Sequence, residues 1–526
     1  MANQYLQPNP AALKRIKHIL VLMLENRSFD NLLGWLYAKE APPRDQEFDG
    51  LRDDLWNPLD NIDSDGVPFV EKVYVRRNGA APKGRSSKRA WHEQPDYTLP
   101  NPDPGEGYQD TNYQLFQKYA IAHGAWPQRP YADSVAPTNM GFVDNYRDAM
   151  LYATLIFGEK PTDPREIMTC YTPEQTPVLS RLAREFAVCD QWFASVPSQT
   201  LPNRAFIHAA TSCSQVNNKP QALFDARTIF NQIEDAIRNE QRTDLSWKVY
   251  HGTAQVKRPG SGEPWEQGQD FSLTRLTLTQ LHDRAFDGNF RLIDEFYQDA
   301  ANGSLPSYAF LEPQFYRDPA TGRAQNDQHP PSDIRAGEKL IADVYRAVVQ
   351  SPQWNETLLV ITYDEHGGCY DHVAPPNTAT PPDGQGNPGQ LGFEFNRFGL
   401  RVPAVLISPY IEPGAICRPA GYTPFDHTSV IATIQNCFDL KDHLTKRDAV
   451  APDLSCVLTL TEPRTDQPEV DPAPAESEPD PEHVNDLHRS LEWASAQLVG
   501  RTRREDQDVF EFSGAAYAEK FGVRAR

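Results

Sequence analysis

An open α/β fold, with a doubly wound, mainly parallel sheet and helices on both faces, is predicted by two apolar runs and by the order of the segments around them. The runs are Ile19-Leu20-Val21-Leu22-Met23-Leu24 and Leu358-Leu359-Val360-Ile361-Thr362-Tyr363. Both lack polar alternation, as strands buried on two faces do. Each stops at polar residues, Glu25-Asn26 and Asp364-Glu365. Strand-like and helix-like segments alternate between them, which is the order of βαβ units.

The elements follow in chain order. After the first strand, Phe29 to Tyr37 reads as a helix start, and Ala41 to about Gly107 turns polar, Pro-rich and weakly periodic. That stretch, about 41–110, is expected to be a long loop-rich insertion over the rim of the sheet. A helix over about Pro177–Ala187 leads to a strand over Val188–Val196, and Thr200-Leu201-Pro202-Asn203-Arg204 opens another helical stretch. A helix near Ala226–Arg238, strands at Ser246–Tyr250 and Ser307–Leu311, and a helix near Asp333–Gln350 come next. The second apolar strand, a strand at Val402–Ser408 and a helix from Thr428 close the core. From Glu462 to Asp486 the composition shifts to Pro, Asp and Glu, the signature of a solvated acidic strap. Leu487, Leu491, Ala494 and Leu498 then recur at helical spacing and are expected to dock back on the core. The organisation is a catalytic domain over 1–460 and a linker with a helical segment over 461–526.

At 526 residues the chain exceeds the usual size of a single core. Its 39% hydrophobic and 10% aromatic content supports a sizeable core, while 46 prolines and a mean hydropathy of -0.62 imply extensive loop surface. A formal net charge of -21 repels nucleic-acid backbones and anionic bilayers, and favours neutral, zwitterionic or metal-screened substrates. The seven cysteines are scattered without CxxC spacing, so neither a zinc ribbon nor a dense disulfide framework is indicated. No run approaches the roughly 20 apolar residues of a membrane span, and the N-terminus lacks a basic and then apolar leader. As written the chain reads as cytoplasmic, or as secreted or periplasmic if an export signal was removed. Oligomeric state is not readable from the sequence.

Ligands of open α/β sheets bind beyond the carboxyl ends of the strands. The two acidic stops would therefore bring Glu25, Asn26, Asp364 and Glu365 to one rim, a set of oxygen donors suited to magnesium, calcium or manganese. Either pair alone has an ordinary reading as residues that end a strand or cap a helix. The glycines of His366-Gly367-Gly368-Cys369-Tyr370-Asp371-His372 would permit close backbone approach, and Asp371-His372 offers an adjacent acid and imidazole. Thr200, at a helix start, reads as an N-cap or as a nucleophile if a cation lowers the proton affinity of its hydroxyl. Asn203 and Arg204 would add donors for phosphoryl oxygens. A Pro-Pro turn after His329 would hold its imidazole at the rim. At the start of another helix, His427 stands beside a carboxylate, and Asp426-His427-Thr428 fits capping as well as catalysis. The remaining histidines read as structural.

Together these stretches resemble the bacterial and plant phosphoesterase family of non-specific phospholipases C and related acid phosphatases. The resemblance rests on Glu25-Asn26-Arg27-Ser28-Phe29-Asp30, Thr200-Leu201-Pro202-Asn203-Arg204, Asp364 through Pro376, and Gly399-Leu400-Arg401-Val402-Pro403 with Ser408-Pro409. It extends from about Ile16 to about Phe438 and includes Phe186-Ala187-Val188-Cys189-Asp190 and Phe425-Asp426-His427-Thr428-Ser429. It implies an alkaline-phosphatase-like core and hydrolysis through a phospho-threonine. Glu25, Asn26, Asp364 and Glu365 would hold the metal, Thr200 would bind it and attack phosphorus, and His329 and His372 would neutralise charge or protonate the leaving group. Members of the family often carry His after an Asp-Pro-Gly turn, where this chain has Asp103-Pro104-Gly105-Glu106.

The expected activity is a metal-dependent phospholipase C acting on a phosphatidylcholine-like lipid, with transient contact at a membrane surface. The alternatives are a broad-specificity acid phosphatase on the same core and, from another class, an inactive homologue that binds headgroups. A lipase needs an apolar rim, for which Trp91, Tyr97 and Tyr108 of the insertion are candidates.

Overall fold

The computed structural model describes residues 5–62, 65–80, 95–117, 136–218, 223–252, 272–316, 323–383, 388–472, 485 and 487–488, without the side chains of 156 and 157. Eight strands form the central sheet: β1 (His18–Leu24), β2 (Ala187–Val188), β3 (Trp247–His251), β4 (Phe290–Leu292), β5 (Tyr308–Leu311), β6 (Thr357–Tyr363), β7 (Ala404–Ile407) and β8 (Ala415–Ile416). Their spatial order is β4-β3-β5-β1-β6-β7-β2-β8. The two apolar runs are thus adjacent central strands, parallel and in register from Thr357 beside His18 to Tyr363 beside Leu24. Every residue of β1 and β6 is buried, which is why neither run alternates. The sheet is mixed, because β7 runs antiparallel to both β6 and β2.

The helices that frame the sheet and the site are α1 (Phe29–Leu33), α2 (Tyr108–Phe116), α3 (Phe142–Phe157), α4 (Pro177–Glu185), α5 (Thr200–Ala209), α6 (Ile229–Asn239), α7 (Ile293–Asn302), α8 (Ile334–Gln350) and α9 (Thr428–Phe438). In one layer α8 packs against α4 and α7; in the other α5 packs against α6 and α9. This is the doubly wound arrangement expected. The helix at Phe29 is shorter than its predicted extent. It stops at Leu33 because the Gly34 carbonyl accepts the Leu51 N–H, and a Cβ at Gly34 would lie 2.6 Å from Leu51 Cγ. The single strand predicted over Val188–Val196 is broken. Beyond β2 the chain turns so that the buried Asp190 carboxylate accepts two hydrogen bonds from Arg418, and pairing resumes only at Trp192–Phe193.

The stretch read as loop-rich holds an antiparallel hairpin, Trp56–Ile62 with Pro68–Tyr74, paired from Trp56 opposite Tyr74 to Ile62 opposite Pro68. Its root packs through Leu59, Val73 and Val75 into a cluster with Phe142, Tyr146 and Tyr370, separate from the main core. Of the C-terminal stripe, Leu487 is fully buried and the His488 ring stacks on Tyr316 at 4.1 Å. Leu491, Ala494 and Leu498 lie outside the described residues. The cysteines occur as free thiols, all buried except the half-buried Cys213. Among the described residues, no helix is long and apolar enough to cross a membrane.

Candidate active site

Parallel pairing of β1 with β6 delivers both acidic stops to one edge. The Asp364 N–H donates to the Leu24 carbonyl at 3.2 Å and so extends the ladder, and Asp364 Oδ1 accepts the N–H of Asn26 at 3.0 Å and of Glu365 at 2.8 Å. Asn26 stands at φ 53, a left-handed conformation that Asn tolerates better than most residues and that turns the chain off the strand. The helix cap after it is Ser28, whose Oγ accepts the Asn31 N–H at 3.1 Å. Asn26 is thereby left for the site.

The Asp364–Gly368 loop comes as close as the glycines suggested. Gly367 has φ +61, and a Cβ there would fall 2.0 Å from the Asn26 carbonyl oxygen; at Gly368 it would fall 2.5 Å from the Gly105 carbonyl oxygen. Only glycine fits both the angle and the space. The approach brings the Asp103–Glu106 turn of the insertion against the rim.

Thr200 is the first residue of α5, with Gln199 as the cap residue before it. Its hydroxyl is therefore not used as a cap and lies 3.1 Å from Glu25 Oε2 and 3.2 Å from Asn26 Oδ1. Thr200, Glu25, Asn26, Asp364 and Glu365 are all fully buried. Arg204, one turn along α5, donates from Nε to Glu25 Oε1 at 2.7 Å and approaches Asp364 Oδ2 at 3.6 Å. Its guanidinium thus holds the carboxylates. Asn203 is turned away: its Nδ2 donates to the carbonyls of Val196, Ser198 and Gln199, and its Oδ1 accepts the Val196 N–H. It shapes the loop that presents Thr200 and contributes no donor toward phosphate.

His329 reaches the site. Its Nδ1 lies 2.8 Å from the Pro330 carbonyl, which makes that nitrogen the donor and leaves Nε2 to accept from Asn26 Nδ2 at 2.8 Å. The Glu106 carboxylate accepts from the same Asn26 nitrogen. The amide is thus fixed with its oxygen toward Thr200. His427 also serves the site from behind: Nδ1 accepts from Trp192 Nε1 at 3.4 Å, so Nε2 donates to the Asp364 carbonyl at 2.6 Å. Asp426 caps α9 through the Thr428 N–H and pairs with Arg447.

His372 is not brought to this cluster. Both its nitrogens are engaged elsewhere, Nδ1 with Asp30 Oδ2 at 2.6 Å and Nε2 with Asp49 Oδ1 at 3.2 Å. Arg401 completes the network, donating to Asp30 Oδ1 at 2.9 Å and Asp371 Oδ1 at 3.0 Å. The expected proton-donating role for His372 gives way to a scaffolding one, because its neighbours are carboxylates of the insertion and of α1.

The acids at the rim fit a divalent cation. Burial first, and neighbouring charge second, raise the carboxyls of Glu25 and Glu365 well above their ordinary value; for Glu25 the Arg204 charge opposes this, and for Glu365 the Asp364 charge adds to it. Asp364 Oδ2 and Glu365 Oε1 are buried without a hydrogen-bond partner among the described residues. The donors are carboxylate, amide and hydroxyl oxygens, the set that hard cations take. One participant escaped the sequence reading, and another was noted there only as a departure from the family's pattern. Asp327, buried and pushed up to about 7 by burial, accepts the Glu25 N–H on its carbonyl at 2.9 Å. Glu106 is 2% exposed and sits on Asn26; the Asp-Pro-Gly turn before it was the available signal.

A model of the phosphoesterase family matches residues 16–441. Non-specific phospholipase C3 of Arabidopsis thaliana is 36% identical over 86% of this chain and 75% of its own length. Phospholipase C B of Mycobacterium tuberculosis is 27% identical over 87% of this chain and 80% of its own. Among solved structures, a protein in the alkaline phosphatase superfamily from Vibrio parahaemolyticus aligns with a TM-score of 0.31 and 13% identity, over 65% of this chain and 84% of that one. The span of the family match covers every residue that builds the rim, and the chain belongs to the phosphoesterase family.

Proposed function

We propose that this phosphoric-ester hydrolase is a phospholipase C that cleaves a phosphatidylcholine-like lipid on the glycerol side of phosphorus. The observation that carries the reading is the Thr200 hydroxyl, freed from capping and lying 3.1 Å and 3.2 Å from two of the candidate metal donors, Glu25 and Asn26. Similarity to phospholipases C from a plant and a bacterium supports the choice of lipid.

Glu25, Asn26, Asp364 and Glu365 would hold a divalent cation, calcium, magnesium or manganese, with Thr200 facing it. When bound, such an ion supplies the positive charge that lowers the proton affinity of a hydroxyl and screens phosphate from carboxylates. Thr200 Oγ1 then attacks phosphorus. Its bond to phosphorus forms as the bond from phosphorus to the glycerol oxygen breaks, and diacylglycerol leaves carrying the proton. Water next attacks the phospho-threonine, releasing the phosphorylated headgroup and restoring the Thr200 hydroxyl. Arg204 and His427 keep Glu25 and Asp364 in place, and His329 with Glu106 keeps the Asn26 amide oriented.

The test is release of phosphocholine from phosphatidylcholine micelles by wild type and Thr200→Ala with calcium, magnesium or manganese present, with p-nitrophenyl phosphate in parallel. Lipid cleavage by wild type that is lost in the variant is the expected result. Cleavage of the nitrophenyl ester alone would make the enzyme a phosphatase and overturn the phospholipase reading.

A further inference from the structure

The insertion leaves an apolar surface uncovered. Of the large hydrophobic side chains that stand exposed among the described residues, Ile62, Val67, Phe69, Val70 and Tyr74 lie on the Trp56–Tyr74 hairpin, with Ile62 61% and Val70 60% exposed. Leu151 and Leu155, one turn apart on α3, are exposed as well, and α3 packs against the first strand of this hairpin. The hairpin has a buried root and exposed apolar side chains toward its far end. Leu59 and Val73 are covered, whereas from Val67 to Val70 every residue is exposed, so side chains on both faces of the strand meet solvent. A concentration of this kind marks an interaction surface.

We propose that this tip docks the protein on the interface of a zwitterionic phospholipid bilayer. The inference rests on the phospholipase reading, since such a substrate is met in a bilayer, and two observations on the molecule support it. The first is the connection of the hairpin to the active-site loop. Asn57 donates to the Asn139 carbonyl at 3.0 Å, Asn139 donates to the Asp371 carbonyl at 2.9 Å, and the hairpin root packs on Tyr370 just past Gly368. The root of the hairpin is therefore anchored to the segment that follows the acidic stop of β6. The second is charge. Asp60, on the first strand, and Asp65, in the turn, are exposed among these apolar side chains, while the Lys72 ammonium sits over the Trp56 ring at 4.4 Å and Glu71 is paired with Arg165. Exposed acids beside apolar side chains suit a surface whose outermost charge is the quaternary ammonium of choline, and oppose an anionic one. The aromatic rim expected from sequence is not the one found. Tyr108 is buried, Tyr97 is half-buried beneath Arg335 at 4.3 Å, and Trp91 lies outside the described residues.

Flotation of the full chain with phosphatidylcholine vesicles tests the proposal, comparing wild type with the Phe69→Asp/Val70→Asp double variant and with Ile62→Ser. Turnover of a short-chain phosphatidylcholine below its critical micelle concentration controls for fold and chemistry. Wild type is expected to float, and the double variant to partition at least roughly tenfold less, the loss of about one buried apolar side chain or more. Ile62→Ser should fall between them, with short-chain turnover unchanged in both variants. Replacing a third of the lipid with phosphatidylserine should weaken flotation of wild type. Equal flotation of all three proteins would overturn the proposal, as would a dimer in sedimentation velocity that the double variant abolishes while flotation stays absent. Flotation without cleavage of the short-chain lipid would support docking and defeat the phospholipase reading instead.

Discussion

His372 Nδ1 lies 2.6 Å from Asp30 Oδ2, joining the segment that follows β6 to the helix that follows β1. Burial alone would lower the imidazole; the charge and hydrogen bond of Asp30, with a second bond to Asp49, outweigh it and raise His372 from 6.5 to about 9. Asp49 moves the other way, from 3.8 to about 2, chiefly through its hydrogen bond to His372. A raised histidine contributes stability that is complete below its unfolded value of 6.5 and lost as pH climbs through about 9. The lowered Asp49 contributes above 3.8, and that part goes as pH falls through about 2. The contribution of the His372–Asp49 pair is therefore strongest between the two unfolded values. Melting temperature should decline from pH 6.5 toward 9, and His372→Gln should flatten that alkaline limb. An unchanged slope in the variant would assign the decline to other groups.

At Gly367, alanine meets both a φ of +61 and a carbonyl oxygen 2.0 Å from its Cβ. Gly367→Ala is expected to cost about 2 kcal/mol or more, since backbone strain and a steric clash add. Urea unfolding should show a lower midpoint with an unchanged slope. Turnover should drop with it, because relief of the clash displaces Asn26.

Removing the cation should destabilise the fold. Without it Glu25, Asp364 and Glu365 stand crowded in a buried site, where burial raises the carboxyls of Glu25 and Glu365, with Arg204 as the neighbouring guanidinium, so chelation is expected to lower the melting temperature. Asp364→Asn should reduce both the chelator-induced shift and the affinity measured by calorimetry with manganese. A variant that binds manganese as wild type does would remove Asp364 from the ligand set.

Glu106→Gln probes the orientation of Asn26. The Glu106 carboxylate accepts from Asn26 Nδ2 and lies in the same buried cluster as Glu365. The neutral variant should melt higher in chelator, because one acid leaves a crowded set, yet turn over more slowly, because an amide oxygen accepts from Asn26 Nδ2 less strongly than a carboxylate does. Melting curves and kcat measured on one preparation separate the two effects.

Thr200→Ser keeps the hydroxyl at the start of α5 and should retain measurable turnover, whereas Thr200→Ala should lose on the order of a thousandfold or more. Acid quench of the wild type during turnover of phosphatidylcholine should trap phosphocholine on the peptide containing Thr200. Phosphocholine found on another residue would move the nucleophile.

Much of this was readable from particular residues. The unbroken apolarity of β1 and β6 announced two buried neighbours, and acids just past their ends announced a rim, because strand direction and burial are local signals. Gly367 and Gly368 were legible for the same reason: a backbone that must pass close to another chain segment leaves glycine behind. The role of His372 was not legible. Sequence places it seven residues after Glu365, but its partners Asp30 and Asp49 belong to segments folded over the sheet from more than three hundred residues away. Asn203 and Glu106 misled in a similar way, since the atoms that claim a side chain depend on tertiary neighbours. The Trp56–Tyr74 hairpin was hidden by its exposed tip, where apolar residues do not alternate as they would on a half-buried strand.

The bond from the Asn26 N–H to Asp364 spans 338 positions. A ribosome therefore releases Glu25, Asn26 and Thr200 well before Asp364 and Glu365, and the set of donors is complete only when β6 inserts beside β1. Contacts so distant in the chain are slow to close, which places chemical competence at the end of folding. For a phospholipase C, this order means that copies truncated before β6 lack the donors that Asp364 and Glu365 supply.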